Sequence, residues 1–222
     1  MKILYVHGFL GHENGSASKA IRELFPNDEV YAPAIPFINP KEAVKFVEEK
    51  SKDYDLLIAS SLGCLFSLRV RNIPKILINI AFKDTIDKIY DESKKDNPDL
   101  PDKKWYLQEL ESITPQQTWE RNNKDVDIYS QNNVYYIFGE NDTIAQNDRN
   151  IDRQIEMEHA LGSYEALDPF SRYDLPYDFD ENGLDINSCI NIVIAKGMEH
   201  KFDSNCSTCL KAIEYCTNKL YK

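Results

Sequence analysis

Three polar side chains in this 222-residue chain stand just beyond apolar runs, and their types suit nucleophilic attack on a carbonyl carbon. Ser61 lies in Leu57-Ile58-Ala59-Ser60-Ser61-Leu62-Gly63, with a small residue two positions before it and another two positions after. A strained strand-to-helix turn needs that spacing, because it brings the flanking backbones close together; here Ala59 replaces the first glycine of G-x-S-x-G. The plainer alternative is that Ser60 or Ser61 caps the following helix. Asp142 closes Ile137-Phe138-Gly139-Glu140-Asn141-Asp142, and His200 closes Ala195-Lys196-Gly197-Met198-Glu199-His200. Taken singly, such an Asp is commonly a turn residue and such a His a hydrogen-bonded surface or core group. Their order, Ser then Asp then His, supplies a nucleophile, an orienting carboxylate and a general base.

The same chemistry needs donors for a developing oxyanion. The loop His7-Gly8-Phe9-Leu10-Gly11-His12-Glu13-Asn14-Gly15 fails as a phosphate-binding loop, since Gly11 and Gly15 enclose three residues where four are required and no Lys-Ser/Thr follows. It offers backbone N–H groups near Phe9 and Leu10 instead. With the N–H of Leu62, at the start of the helix after the serine, Phe9 forms the expected donor pair. Glu140 and Asp148 compete with Asp142 for the acid role, and Ser60 and Ser67 with Ser61 for the nucleophile.

Six short apolar runs, at residues 3–6, 30–32, 56–59, 76–80, 134–138 and 192–195, must carry these groups. They are continuous where a half-exposed strand would alternate, as strands covered on both faces should be. Helical stretches at 18–24, 41–50, 62–70 and 204–220 lie between or after them, which predicts an α/β architecture with a mainly parallel, six-stranded sheet in one domain spanning 1–222. Of the 8 glycines, Gly8, Gly63, Gly139 and Gly197 follow strands directly and Gly11 and Gly15 extend the first loop. They mark the carboxyl edge where open sheets bind ligands. Two long segments break the rhythm: about 83–130, a candidate lid with helical decoration, and 143–188, whose latter part is rich in Asp, Pro and Tyr and is expected to be irregular.

Charge and cysteine usage exclude several classes. With 26 basic against 37 acidic residues the net charge is −11, which disfavours nucleic-acid binding. No apolar run reaches membrane-helix length and the start lacks a signal-peptide core, so a soluble cytoplasmic protein is expected, with reduced thiols at its 5 cysteines. Cys206 and Cys209 have a metal or redox spacing, but Cys209, Ile213, Cys216 and Leu220 recur at helical intervals and read as a buried face. Asp178, Asp180, Asn182 and Gly183 match half of a calcium loop, whose closing position is Cys189, so a solvated acidic turn is expected and no metal.

These motifs together resemble the small α/β-hydrolases of the YqiA/YcfP esterase family. The matching residues are Leu4-Tyr5-Val6-His7-Gly8-Phe9, the prolines Pro33, Pro36 and Pro40, Ser60-Ser61-Leu62-Gly63, Tyr106-Leu107 and Gly197-Met198-Glu199-His200-Lys201-Phe202. The resemblance implies a compact hydrolase fold lacking the first two strands of larger members. It implies a Ser61, Asp142, His200 triad, an oxyanion hole at Phe9 and Leu62, an acyl ester or thioester substrate, and no cofactor. Cys64 departs from the glycine common after the elbow, and the acid loop and the 143–188 insertion are longer than usual. The competing expectation is a hydrolase-fold interaction module, kept open by Tyr164, Tyr173 and Tyr177 in the acidic insertion. Oligomeric state is not legible.

Overall fold

Apolar residues on both faces of every inner strand dictate a sheet sandwiched between helices, and the computed structural model, which describes residues 1–71, 73–114, 133–145, 178–187 and 191–221, has that arrangement. Strands β1 (Lys2–Val6), β2 (Glu29–Tyr31), β3 (Leu56–Ser60), β4 (Lys75–Ile78), β5 (Val134–Gly139), β6 (Leu184–Asn187) and β7 (Ile192–Ala195) form one sheet in the order β2-β1-β3-β4-β5-β7-β6. All neighbours are parallel except β6, which runs antiparallel to β7 at the edge. Successive side chains alternate between two cores. Ile3, Tyr5, Leu56, Ile58, Ile76 and Ile78 point toward helices α1 (Ser16–Leu24) and α6 (Ser207–Leu220). Leu4, Val6, Leu57, Ala59 and Leu77 point toward α2 (Pro40–Lys50), α3 (Leu62–Ser67), α4 (Lys83–Asp96) and α5 (Lys103–Ile113).

The six expected strands are all present, and a seventh, at the end of the 143–188 insertion, corrects the expected count of six. Residues 184–187 pair antiparallel with β7, and a tight turn leads into them. Asp180 Oδ1 accepts the N–H groups of Asn182 and Leu184 at 2.8 and 2.9 Å, and Gly183 takes the left-handed conformation at φ 74°. The carboxylate that the half calcium loop would commit to a metal is thus engaged by backbone, and those N–H groups, that of Leu184 foremost, hold its pKa below the usual value. Cys189, Asp148, Tyr164, Tyr173 and Tyr177 lie outside the described residues.

Within the candidate lid, residues 83–113 form α4 and α5, packed on each other and, through α5, on α2. Asp102 caps α5 by accepting the N–H of Trp105 at 2.9 Å. Cys209, Ile213 and Cys216 occupy the inner face of α6, as their spacing predicts, while Cys206 is half-buried at its start. No helix among the described residues is long and apolar enough to cross a membrane.

Candidate active site

The turn from β3 into α3 places Ser61 at φ 53° and ψ −124°, a conformation that costs a non-glycine residue of order 1–3 kcal/mol. Gly63 shows why the turn needs small residues: a Cβ there would lie 2.3 Å from the Val6 carbonyl oxygen of the neighbouring strand. As the N-cap of α3, Ser61 makes no side-chain cap bond. Its Oγ instead lies 2.8 Å from His200 Nε2. The adjacent Ser60 points into the opposite core, where its Oγ meets the Tyr5 hydroxyl at 2.7 Å, and Ser67 donates to the Gly63 carbonyl at 2.7 Å. Neither competitor faces the imidazole.

His200 Nδ1 lies 2.8 Å from Asp142 Oδ2, completing a line from serine to histidine to carboxylate across β3, β5 and β7. The Asp142 carboxylate is wholly buried and the imidazole nearly so. Asp142 Oδ1 accepts the N–H groups of Ile144 and Ala145, both at 2.9 Å, so only Oδ2 remains for the histidine. Glu140, a competitor for the acid role, turns elsewhere: its Oε2 accepts the N–H of Gly197 at 2.8 Å and ties the loop after β5 to the loop after β7. Asp148 lies outside the described residues.

The first loop crosses directly over this turn. A Cβ on Gly8 would lie 2.7 Å from Ser61 Cβ, so only glycine allows the approach. The N–H of Phe9 has no acceptor among the described residues. That of Leu62, first in α3, has none within its helix. Both expected oxyanion donors are thereby unspent. The Phe9 ring is braced by Phe37, Tyr90 and Tyr106, with centroids 5.8, 6.0 and 6.0 Å away, and Tyr106 donates to the Phe37 carbonyl at 2.7 Å. Residues from α4 and α5 therefore fix the loop that carries a candidate donor.

Two buried residues beside the site have no role among the sequence expectations, although His7 stands in the first motif. His7, buried beneath the loop with Nδ1 3.1 Å from the Gly8 carbonyl, is pushed toward the neutral form by burial. Asn79, fully buried just after β4, accepts the N–H of Gly139 at 2.8 Å through Oδ1. Its Nδ2 donates to the carbonyls of Glu199 and His200 at 2.9 and 3.2 Å. From the sequence Asn79 falls inside the apolar run 76–80 and counts as a strand residue; the strand ends at Ile78, which puts Asn79 on the carboxyl edge.

The backbone as a whole is similar to solved α/β-hydrolases. Alpha/beta hydrolase domain-containing protein 10 from mouse aligns with a TM-score of 0.56 at 15% identity, over 99% of this chain and 90% of its own. MGS-MChE2, an α/β hydrolase from the sediment metagenome of the lagoon of Mar Chica, Morocco, gives 0.58 at 14%, over 100% and 90%. The monoacylglycerol lipase of Paleococcus ferrophilus gives 0.58 at 15%, over 97% and 93%. No family model matches the sequence and no curated protein matches it. The chain has the α/β-hydrolase fold, a broader grouping than the YqiA/YcfP esterases its motifs resemble.

Proposed function

We propose that this protein is a serine hydrolase that cleaves carboxylic esters or thioesters through an acyl-enzyme on Ser61. The observation that carries the reading is the Ser61 Oγ that leaves its own helix uncapped and meets His200 Nε2 at 2.8 Å, with Asp142 behind the ring at 2.8 Å. A serine held this way loses its proton to the imidazole as Oγ bonds the substrate carbonyl carbon. Asp142 keeps Nδ1 protonated and stabilises the imidazolium. The oxyanion is received by the N–H groups of Phe9 and Leu62, each contributing roughly 3 kcal/mol in such sites. Collapse breaks the bond to the alcohol or thiol, which leaves with the proton from His200; water then enters, activated by the same base, and releases the acid. An esterase domain from Rhodothermus marinus and the monoacylglycerol lipase, both solved structures of this fold, agree with this substrate class.

The test is covalent labelling. Ser61 of the wild-type protein is expected to react with a fluorophosphonate at neutral pH and to hydrolyse a short-chain activated ester, and Ser61→Ala and His200→Ala should lose both while remaining folded. A residual rate up to roughly a thousand-fold over water would still be compatible, since oxyanion donors and binding survive triad deletions. Folded wild-type protein that stays unlabelled, or a label on Ser60 or Ser67, would favour the interaction module instead.

A further inference from the structure

We propose that Asn79 is a positioning residue that fixes the spacing between the acid and the base of this site, an inference that rests on the hydrolase reading above. It follows β4 directly, between the strand that carries Ser61 and the strand that leads to Asp142. Its backbone sits at φ 48°, a left-handed conformation that asparagine tolerates better than other residues with a side chain, and its own N–H donates to the Ile137 carbonyl at 2.8 Å. That backbone sends the amide along the sheet edge and not into either core.

The three side-chain bonds leave no ambiguity about which way the amide faces. Gly139 N can only donate, so it meets Oδ1; the carbonyls of Glu199 and His200 can only accept, so they meet Nδ2. One end of Asn79 therefore holds the start of the acid loop, where Gly139 also accepts the N–H of Asp142 at 3.2 Å. The other end holds the backbone of the base itself. Asn79 belongs to neither loop, so it references both to the sheet. The consequence is geometric. His200 must keep Nδ1 on Asp142 while Nε2 reaches Ser61, and a shift of about 1 Å in such a group costs on the order of 100-fold in rate.

A buried asparagine that merely satisfied a turn would alter stability and leave the chemistry of folded protein untouched, so the two roles separate experimentally. Asn79→Gly keeps the left-handed backbone accessible and deletes the amide. Asn79→Asp keeps the shape and the acceptor for Gly139 but removes the amide donor facing two carbonyls. In both variants kcat for a short-chain activated ester is expected to fall roughly 100-fold with KM within about 3-fold of wild type. The downfield proton resonance of the His200 Nδ1–H, present in wild type, should shift or broaden away. Wild-type kcat with an unchanged resonance in folded Asn79→Gly would overturn the proposal, as would a lost kcat beside an unchanged resonance. Should Asn79→Gly fail to fold, Asn79→Asp carries the same comparison. An unreactive Ser61 in wild-type protein would sink the hydrolase reading separately, because the resonance reports the His200 to Asp142 contact without any reaction.

Discussion

Replacing Asp142 by Asn changes no volume, yet the surrounding hydrogen bonds determine what the new amide must do. The N–H groups of Ile144 and Ala145 point at the Oδ1 position, both at 2.9 Å, so the single carbonyl oxygen of the variant amide has to sit there. Its NH2 group is then forced toward His200 Nδ1, 2.8 Å away in the wild type. An NH2 can only donate, so Nδ1 must accept, and the ring proton moves to Nε2. Nε2 faces Ser61 Oγ at 2.8 Å and would donate to the group it should deprotonate. The same inversion costs about 10⁴-fold in kcat in a serine protease, or roughly 5 kcal/mol at 1.36 kcal/mol per decade. Asp142→Ala lacks the competing donor and leaves His200 free to adopt the useful tautomer part of the time, so Asn should be the worse substitution. Both variants would be assayed for kcat/KM on an activated ester and for the rate of fluorophosphonate labelling, with circular dichroism to confirm folding. If folded Asp142→Asn kept more than about a tenth of wild-type activity, or exceeded Asp142→Ala, the assignment of Asp142 and the tautomer argument would both be refuted.

Lys75 is buried, donating to the Val70 carbonyl at 2.5 Å, and burial, with the Arg71 charge second, lowers its pKa to about 7. Between pH 7 and about 10.5 the unfolded chain holds a proton that the native state has released, so this group makes stability rise with pH across that window, by at most about 1.4 kcal/mol per unit. Denaturant titrations from pH 6 to 9 should show Lys75→Met gaining most on the wild type at low pH, with the advantage shrinking as pH rises; a pH-independent difference would refute it. Cys206 has its pKa lowered to about 6, chiefly by a hydrogen bond with Cys209, whereas burial raises Cys64, Cys209 and Cys216. Peptide mapping after brief iodoacetamide treatment of the native protein at pH 7 should find Cys206 alkylated well ahead of those three, and comparable labelling of Cys209 would contradict the assignment.

The sequence by itself determined what depends on a few consecutive residues. The apolar runs at 3–6, 56–59 and 192–195 dictated strands covered on both faces, because no alternating pattern could leave one face wet. Ala59 and Gly63 marked the strained turn, because side-chain size at close approach is a local property. The spacing of Cys209, Ile213 and Cys216 fixed the buried face of the last helix for the same reason. What the sequence could not determine was which distant groups would meet. The small residues two positions either side favour Ser61 over Ser60, but it is the sheet order, with β1 beside β3, that gives Ser60 to Tyr5 and leaves Ser61 to a histidine 139 residues away. Glu140 and Asp142 are both plausible acids until the loop after β7 arrives to occupy Glu140 with Gly197. Asn79 falls within a run that reads as strand, and its reach to Glu199 and His200 spans some 120 positions. Residues 184–187 became a strand because β7 offered an unpaired edge. Each of these outcomes turns on hydrogen bonds between segments far apart in the chain, which exist only once the tertiary structure has set the neighbours.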